Sequence, residues 1–296
     1  MLYTLENEWL CVTVADHGAE LKSMKEKADG TEYLWNGDPS WWKYSSPVLF
    51  PIVGKLADGK YRIGEHQYEL PGHGLGRISD FVLVRKEKDA ICLALDWSED
   101  SLEKYPYKFR LEISYKLAGH TVQVGWQVKS QEERRGMYFS IGAHPALCCP
   151  IEEEEEFTDC YLEFERAENS SRILTLPNGL ISHERTPSLK GMVQPLSYDI
   201  FRDGALVYDD LRSSRITIKS RQGRKSIAVE AKGFPYWGIW SPEKGGAPFV
   251  CLEPWFGHGD FEDFAGDFRE KAGIQKLAPG QTFTAGYRFI INEKTE

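Results

Sequence analysis

The stretch Lys108–Lys129 reads KFRLEISYKL, then AGH, then TVQVGWQVK, and it decides the fold. In its first part Phe109, Leu111, Ile113, Tyr115 and Leu117 alternate with charged or polar residues, and in its last part Val122, Val124, Trp126 and Val128 do the same. A period of two puts every apolar side chain on one face of an extended chain, the pattern of a half-buried antiparallel strand. The link Ala118-Gly119-His120 is short enough for a hairpin.

Working outward, similar runs occur at Ser214–Lys219, Ser226–Ala231 and Thr284–Asn292. Helical periodicity is scarce, and its best candidate is the short segment Phe264–Ala272. Glycine (27) and proline (15) punctuate the chain as a fold of many turns requires. These features predict an all-β protein with few short helices. Neither a low-complexity linker nor a fixed-period repeat interrupts the 296 residues, so one domain over 1–296 is expected. A chain of this length buries roughly 75% of its unfolded surface, enough for one large core.

Composition excludes several partners. The formal charge is −9, from 45 acidic and 36 basic residues, a balance that repels nucleic acid and anionic membranes. No apolar run approaches the roughly 18 residues of a membrane span, and the opening MLYTLENEWL lacks the basic and apolar regions of a signal peptide. Six cysteines show no C-x-x-C rhythm, and Cys148 and Cys149 are adjacent, so free thiols in a reducing cytoplasm are expected rather than a disulfide framework or a metal site. The run Glu152–Glu156 reads as a solvated loop, because adjacent like charges resist burial.

Three segments set ionisable groups beside structural punctuation. In Ser45–Arg77, His73 is flanked by glycines, where the backbone bends tightly and leaves the ring open to a ligand. In Tyr138–Pro145 (YFSIGAHP), His144 follows small residues and precedes a proline that restricts it to extended backbone. Its imidazole titrates near neutrality, which suits proton transfer, although a satisfied core histidine at a strand end fits equally well. In Phe249–Gly257 (FVCLEPWFG), Glu253 ends an apolar run beside Trp255. Desolvation there raises a carboxyl pKa and makes the carboxylate a better base, and an ion-paired structural glutamate is the alternative. Aromatic residues make up 13% of the chain, with clusters at Trp41-Trp42, Tyr236-Trp237 and Trp240. Such rings suit the C–H faces of sugars, but for most of the tryptophans a core role is expected.

Taken in order, HGAELKS (His17–Ser23), LFPIVGKL, HGLGR, IGAHPA, FPYWGIWS (Phe234–Ser241), CLEPWFG and AGIQKLAPGQTFTAGYRF resemble the aldose 1-epimerase (galactose mutarotase-like) family over nearly the whole chain. The resemblance implies a large antiparallel β-sandwich and interconversion of the α and β anomers of a hexose, with a small-molecule sugar as partner and no metal or redox cofactor. It places His144 as the acid that protonates the ring oxygen and Glu253 as the base at the anomeric hydroxyl. His73 matches a second histidine that hydrogen-bonds the sugar. Lys55 stands where many members carry arginine, and Asp209 matches an aspartate that grips sugar hydroxyls, with Asp210 as its competitor. HGLGR is also similar to an element of hexose-6-phosphate 1-epimerases, in which Arg77, with Lys55, would hold phosphate. A non-catalytic carbohydrate-binding sandwich is the reading from another class.

Overall fold

The computed structural model describes residues 1–292. The predicted hairpin is present as the strands Phe109–Ala118 and Thr121–Ser130, paired from Ala118↔Thr121 to Phe109↔Ser130. Only Gly119 and His120 lie between the closing pair, and Gly119 takes φ +58°, as the first position of a tight type II′ turn requires. The register sets Leu117 against Val122, Tyr115 against Val124, Ile113 against Trp126 and Leu111 against Val128, all buried. A one-residue slip would turn every one of these side chains to solvent, so the pattern itself holds the register.

The hairpin belongs to a 15-stranded antiparallel sheet. From the edge strand Val82–Lys86 the sheet passes through Ala90–Asp96, the hairpin, Thr282–Ile291, Ile227–Glu230 and Arg215–Ser220 to the long strand Cys160–Thr175. It continues through Leu206–Tyr208, Tyr236–Trp240, Phe249–Phe256 and Ile141–Ala143 to Val48–Leu49. Ala146–Cys148 also pairs with Phe249–Phe256, and Ile181–Pro195 with Cys160–Thr175. A three-stranded sheet, Leu2–Glu6, Leu10–Ala15 and Leu21–Glu26, contributes Val12, Val14 and Met24 to the same core cluster as the hairpin. The molecule is the expected β-sandwich.

Helix is sparse, as predicted, but lies elsewhere. Phe264–Ala272 yields only the 3-10 turn Phe268–Glu270, because Gly266 and Gly273 bracket it and Asp267 caps a single turn. The one α-helix among the described residues is Glu99–Lys104, started by a reciprocal side-chain cap between Ser98 and Ser101. The acidic run Glu152–Glu156 is a loop, all six cysteines are free thiols, and among the described residues no helix is long and apolar enough to cross a membrane.

Candidate functional site

The site is built on the strand Phe249–Phe256. Its neighbour on one side is a broken strand in a single register: Ile141 faces Phe256 and Gly142 faces Trp255, then Ala146 faces Cys251 and Leu147 faces Val250. The break is His144-Pro145, where proline has no N–H to offer a ladder. His144 therefore stands directly opposite Glu253. Its Nε2 lies 3.2 Å from Glu253 Oε2, and the two side chains are 9% and 2% exposed. The approach is close enough for an ion pair but is not aligned as a hydrogen bond, and Glu253 Oε2 has no hydrogen-bond partner.

Aromatic rings fix His144 from two sides. Trp42 stacks on it at 4.6 Å and 29°, and Trp240 meets it edge-on at 5.7 Å. Its backbone N–H donates to Pro47 O, and Ala146 N–H donates to Ser45 O. That loop is in turn held by buried Glu20, whose Oε1 accepts from the N–H groups of Ser45 and Ser46. The early HGAELKS segment thus bears on the site through Glu20. Burial holds the Glu253 carboxyl well above the usual carboxylate range and the His144 imidazole well below its own, with His73 and Arg77 adding to the histidine's shift.

His73 comes to the same place, its ring edge-on to His144 at 5.4 Å. Its backbone sits at φ +64°, a left-handed conformation costing a non-glycine residue roughly 1–2 kcal/mol. Two contacts to one glycine hold it there: His73 N–H donates to Gly54 O, and Gly54 N–H donates to His73 Nδ1. Because Nδ1 accepts, the neutral ring carries its proton on Nε2, as a donor. Burial, with Arg77 and Lys55 nearby, lowers this histidine to about 3, so it stays neutral.

Arg77 is half-buried, donates to Gly72 O and lies over the Tyr44 ring at 4.7 Å, while its Nε is buried without a partner. Lys55 is exposed, with its ammonium on Asn178 O at 3.0 Å. Asp209 follows Leu206–Tyr208, and continuing that register sets it opposite Tyr236, next to the strand that carries Glu253. Its carboxylate already takes both arms of Arg185, at 2.7 and 2.6 Å, which holds it below the usual range. Asp209 rather than Asp210 makes this pair.

Four further residues contribute. Trp42 and Trp240 belong to the aromatic clusters that suit sugar C–H faces as well as a core, and both are half-buried and pack on His144. Arg185 carries no local signal, since only the fold brings it to Asp209. His258, buried and meeting Tyr236 edge-on at 5.0 Å, sits between Gly257 and Gly259 in the same pattern that singled out His73.

A sequence profile described as aldose 1-epimerase matches residues 1–273. Protein LacX of Lactococcus lactis subsp. lactis is 33% identical over 299 residues, covering 98% of this chain and 99% of LacX. A galactose mutarotase related enzyme from Lactobacillus acidophilus superposes with a TM-score of 0.94 at 31% identity, over 100% of this chain and 99% of that one. A galactose mutarotase-like protein from Lactobacillus casei gives 0.93 at 29% identity, over 98% and 100%.

Proposed function

The chain belongs to the aldose 1-epimerase family, and we propose that it interconverts the α and β anomers of a free hexose through Glu253 and His144. The observation that carries this reading is the 3.2 Å approach of two buried groups of opposite acid–base character, one carboxylate oxygen being left without a partner. O1 and O5 of a pyranose hang from the same carbon, so the base for one and the acid for the other must be near neighbours.

Glu253 takes the O1 proton as the C1–O1 double bond forms. The C1–O5 bond breaks, and O5 takes its proton from the His144 imidazolium. The pair holds one proton in total before and after. Burial puts the shared proton on Glu253 at rest, so it must first cross the 3.2 Å to His144 Nε2, and ring opening returns the cost of forming that carboxylate–imidazolium pair. After rotation about C1–C2, O5 attacks the other face, returning its proton to His144 while Glu253 reprotonates O1. Neutral His73 donates from Nε2 to a sugar oxygen, Trp42 and Trp240 offer their faces to C–H groups, and Asp209 accepts from a hydroxyl.

Free galactose or glucose is the proposed substrate, in keeping with the mutarotase-related neighbour. The same chemistry on a hexose 6-phosphate is the second reading, favoured by the unpartnered Nε of Arg77. Polarimetry on fresh α-galactose, α-glucose and α-glucose 6-phosphate separates the two. The purified protein should bring a free sugar to equilibrium well ahead of the uncatalysed rate, and Glu253→Gln should cut that by about 10²-fold or more while sugar binding persists. Uncatalysed rates with all three sugars, together with measurable binding, would make the protein a carbohydrate-binding sandwich instead.

A further inference from the structure

Beside the acid–base pair lies a third group that the proposed reaction does not use. Cys251 is two residues before Glu253 on the same strand, so both side chains leave by one face. Across the ladder Cys251 faces Ala146, two residues beyond His144. A His144 ring nitrogen, the Cys251 sulfur and a Glu253 carboxylate oxygen all lie within 4.8 Å of one another, and all three residues are buried. Glu253 is 1% exposed and its Oε2 lacks a hydrogen-bond partner, a condition that buried polar atoms seldom tolerate.

One nitrogen, one sulfur and one oxygen form the donor set of a four-coordinate zinc-type site with its last position open to water. The thiolate selects thiophilic ions over magnesium or calcium, which prefer oxygen alone. Nitrogen, oxygen and sulfur ligands bound at zinc distances stand roughly 3.3–3.7 Å apart, a spacing that the His144–Glu253 pair at 3.2 Å nearly has, so the sulfur needs to close by about an ångström at most. We propose that His144, Cys251 and Glu253 form an inhibitory site for a thiophilic divalent cation of the zinc or cadmium type. On binding, the cation sheds water and the Cys251 S–H proton passes to solvent as the metal–sulfur bond forms. Any proton on Glu253 leaves as well, and nothing is oxidised or reduced. Both proton-exchanging groups are then committed to the metal and turnover stops.

The proposal rests on the acid–base reading only for its inhibitory consequence. The test titrates the protein with cadmium chloride and follows the ultraviolet thiolate-to-cadmium charge-transfer band together with sugar turnover. In the wild type, part of the band should saturate in step with inhibition, and a chelator should reverse both. Cys251→Ser should keep basal turnover, lose that part of the band and need more than about 10-fold more cadmium for half inhibition, since losing even an outer-shell partner costs 10–100-fold in affinity. Cys149→Ser, a buried thiol elsewhere, should leave inhibition unchanged. Equal cadmium sensitivity of wild type and Cys251→Ser overturns the proposal, as does an equal band in the two. Should Cys251→Ser fail to fold by circular dichroism, Cys251→Ala serves the same comparison. If no sugar turns over, the band difference still reads the metal site, so the two ideas fail separately.

Discussion

Glu253 is buried on an apolar strand and gains a proton more readily than an ordinary glutamate. In the unfolded chain its carboxyl ionises above a pH of about 4.3. Folding holds it protonated to higher pH, so unfolding releases a proton, and stability falls as pH rises from about 4.3 through the folded value. Glutamine keeps the shape without the ionisation. Glu253→Gln should therefore be more stable than the wild type by on the order of 1–2 kcal/mol at pH 7, with the gain vanishing near pH 4. Thermal melts at the two pH values check this, and identical melting at pH 7 would falsify the assignment of a desolvated carboxyl. Glu253 was legible in the sequence because the apolar run before it is contiguous with it. The lowered titration of His144 was not, since it depends on Trp42, His73 and Arg77, which arrive from distant segments.

Between strands, the floor beside Glu253 depends on missing side chains. Gly238 faces Glu253 across the ladder, and the Trp255 indole extends over Gly238 so closely that an added Cβ would lie 2.3 Å from a ring carbon. The same indole donates from Nε1 to Ala143 O at 3.2 Å, next to His144. Gly238→Ala must push the ring aside and strain that bond. It should cost about 1–3 kcal/mol, as overpacking does, and lower turnover at least 10-fold although the residue touches no sugar. A chemical denaturation curve and a polarimetric assay test the two parts, and unchanged values in both would remove Trp255 from the architecture of the site. At this scale the sequence was most readable where one face is apolar and the other polar, as in Phe109–Ala118 and Thr121–Ser130. It was least readable where a strand is buried on both faces, as in Leu206–Tyr208, or only three residues long, as in Ile141–Ala143.

Across the molecule, one buried ion pair fastens the rim of the site. Lys271 and Asp260 are each 3% exposed and bonded to one another. Asp260 also accepts from Ala57 N–H through its carboxylate, donates its own N–H to Lys55 O, and accepts Ile181 N–H at its carbonyl. Removing one partner leaves a buried charge alone. Asp260→Asn should cost about 3–5 kcal/mol, and adding Lys271→Met should return much of it. Denaturant midpoints of the single and double variants decide the matter, and a single variant as stable as wild type would show the pair to be dispensable. Neither residue carried a sequence signal, because a lysine and an aspartate eleven residues apart meet only after the chain has turned at Phe268–Glu270.

The hairpin that decides the fold closes between immediate neighbours in the chain, whereas His144 meets Glu253 across more than a hundred intervening residues. Bringing such distant segments together is slow compared with closing a two-residue turn. During synthesis the ribosome must deliver nearly the entire chain before Phe249–Phe256 can pair with Ile141–Ala143 and Tyr236–Trp240. Thr282–Ile291, which joins the hairpin to Ile227–Glu230, emerges later still, so the last part of the chain completes the working site and the continuous sheet together.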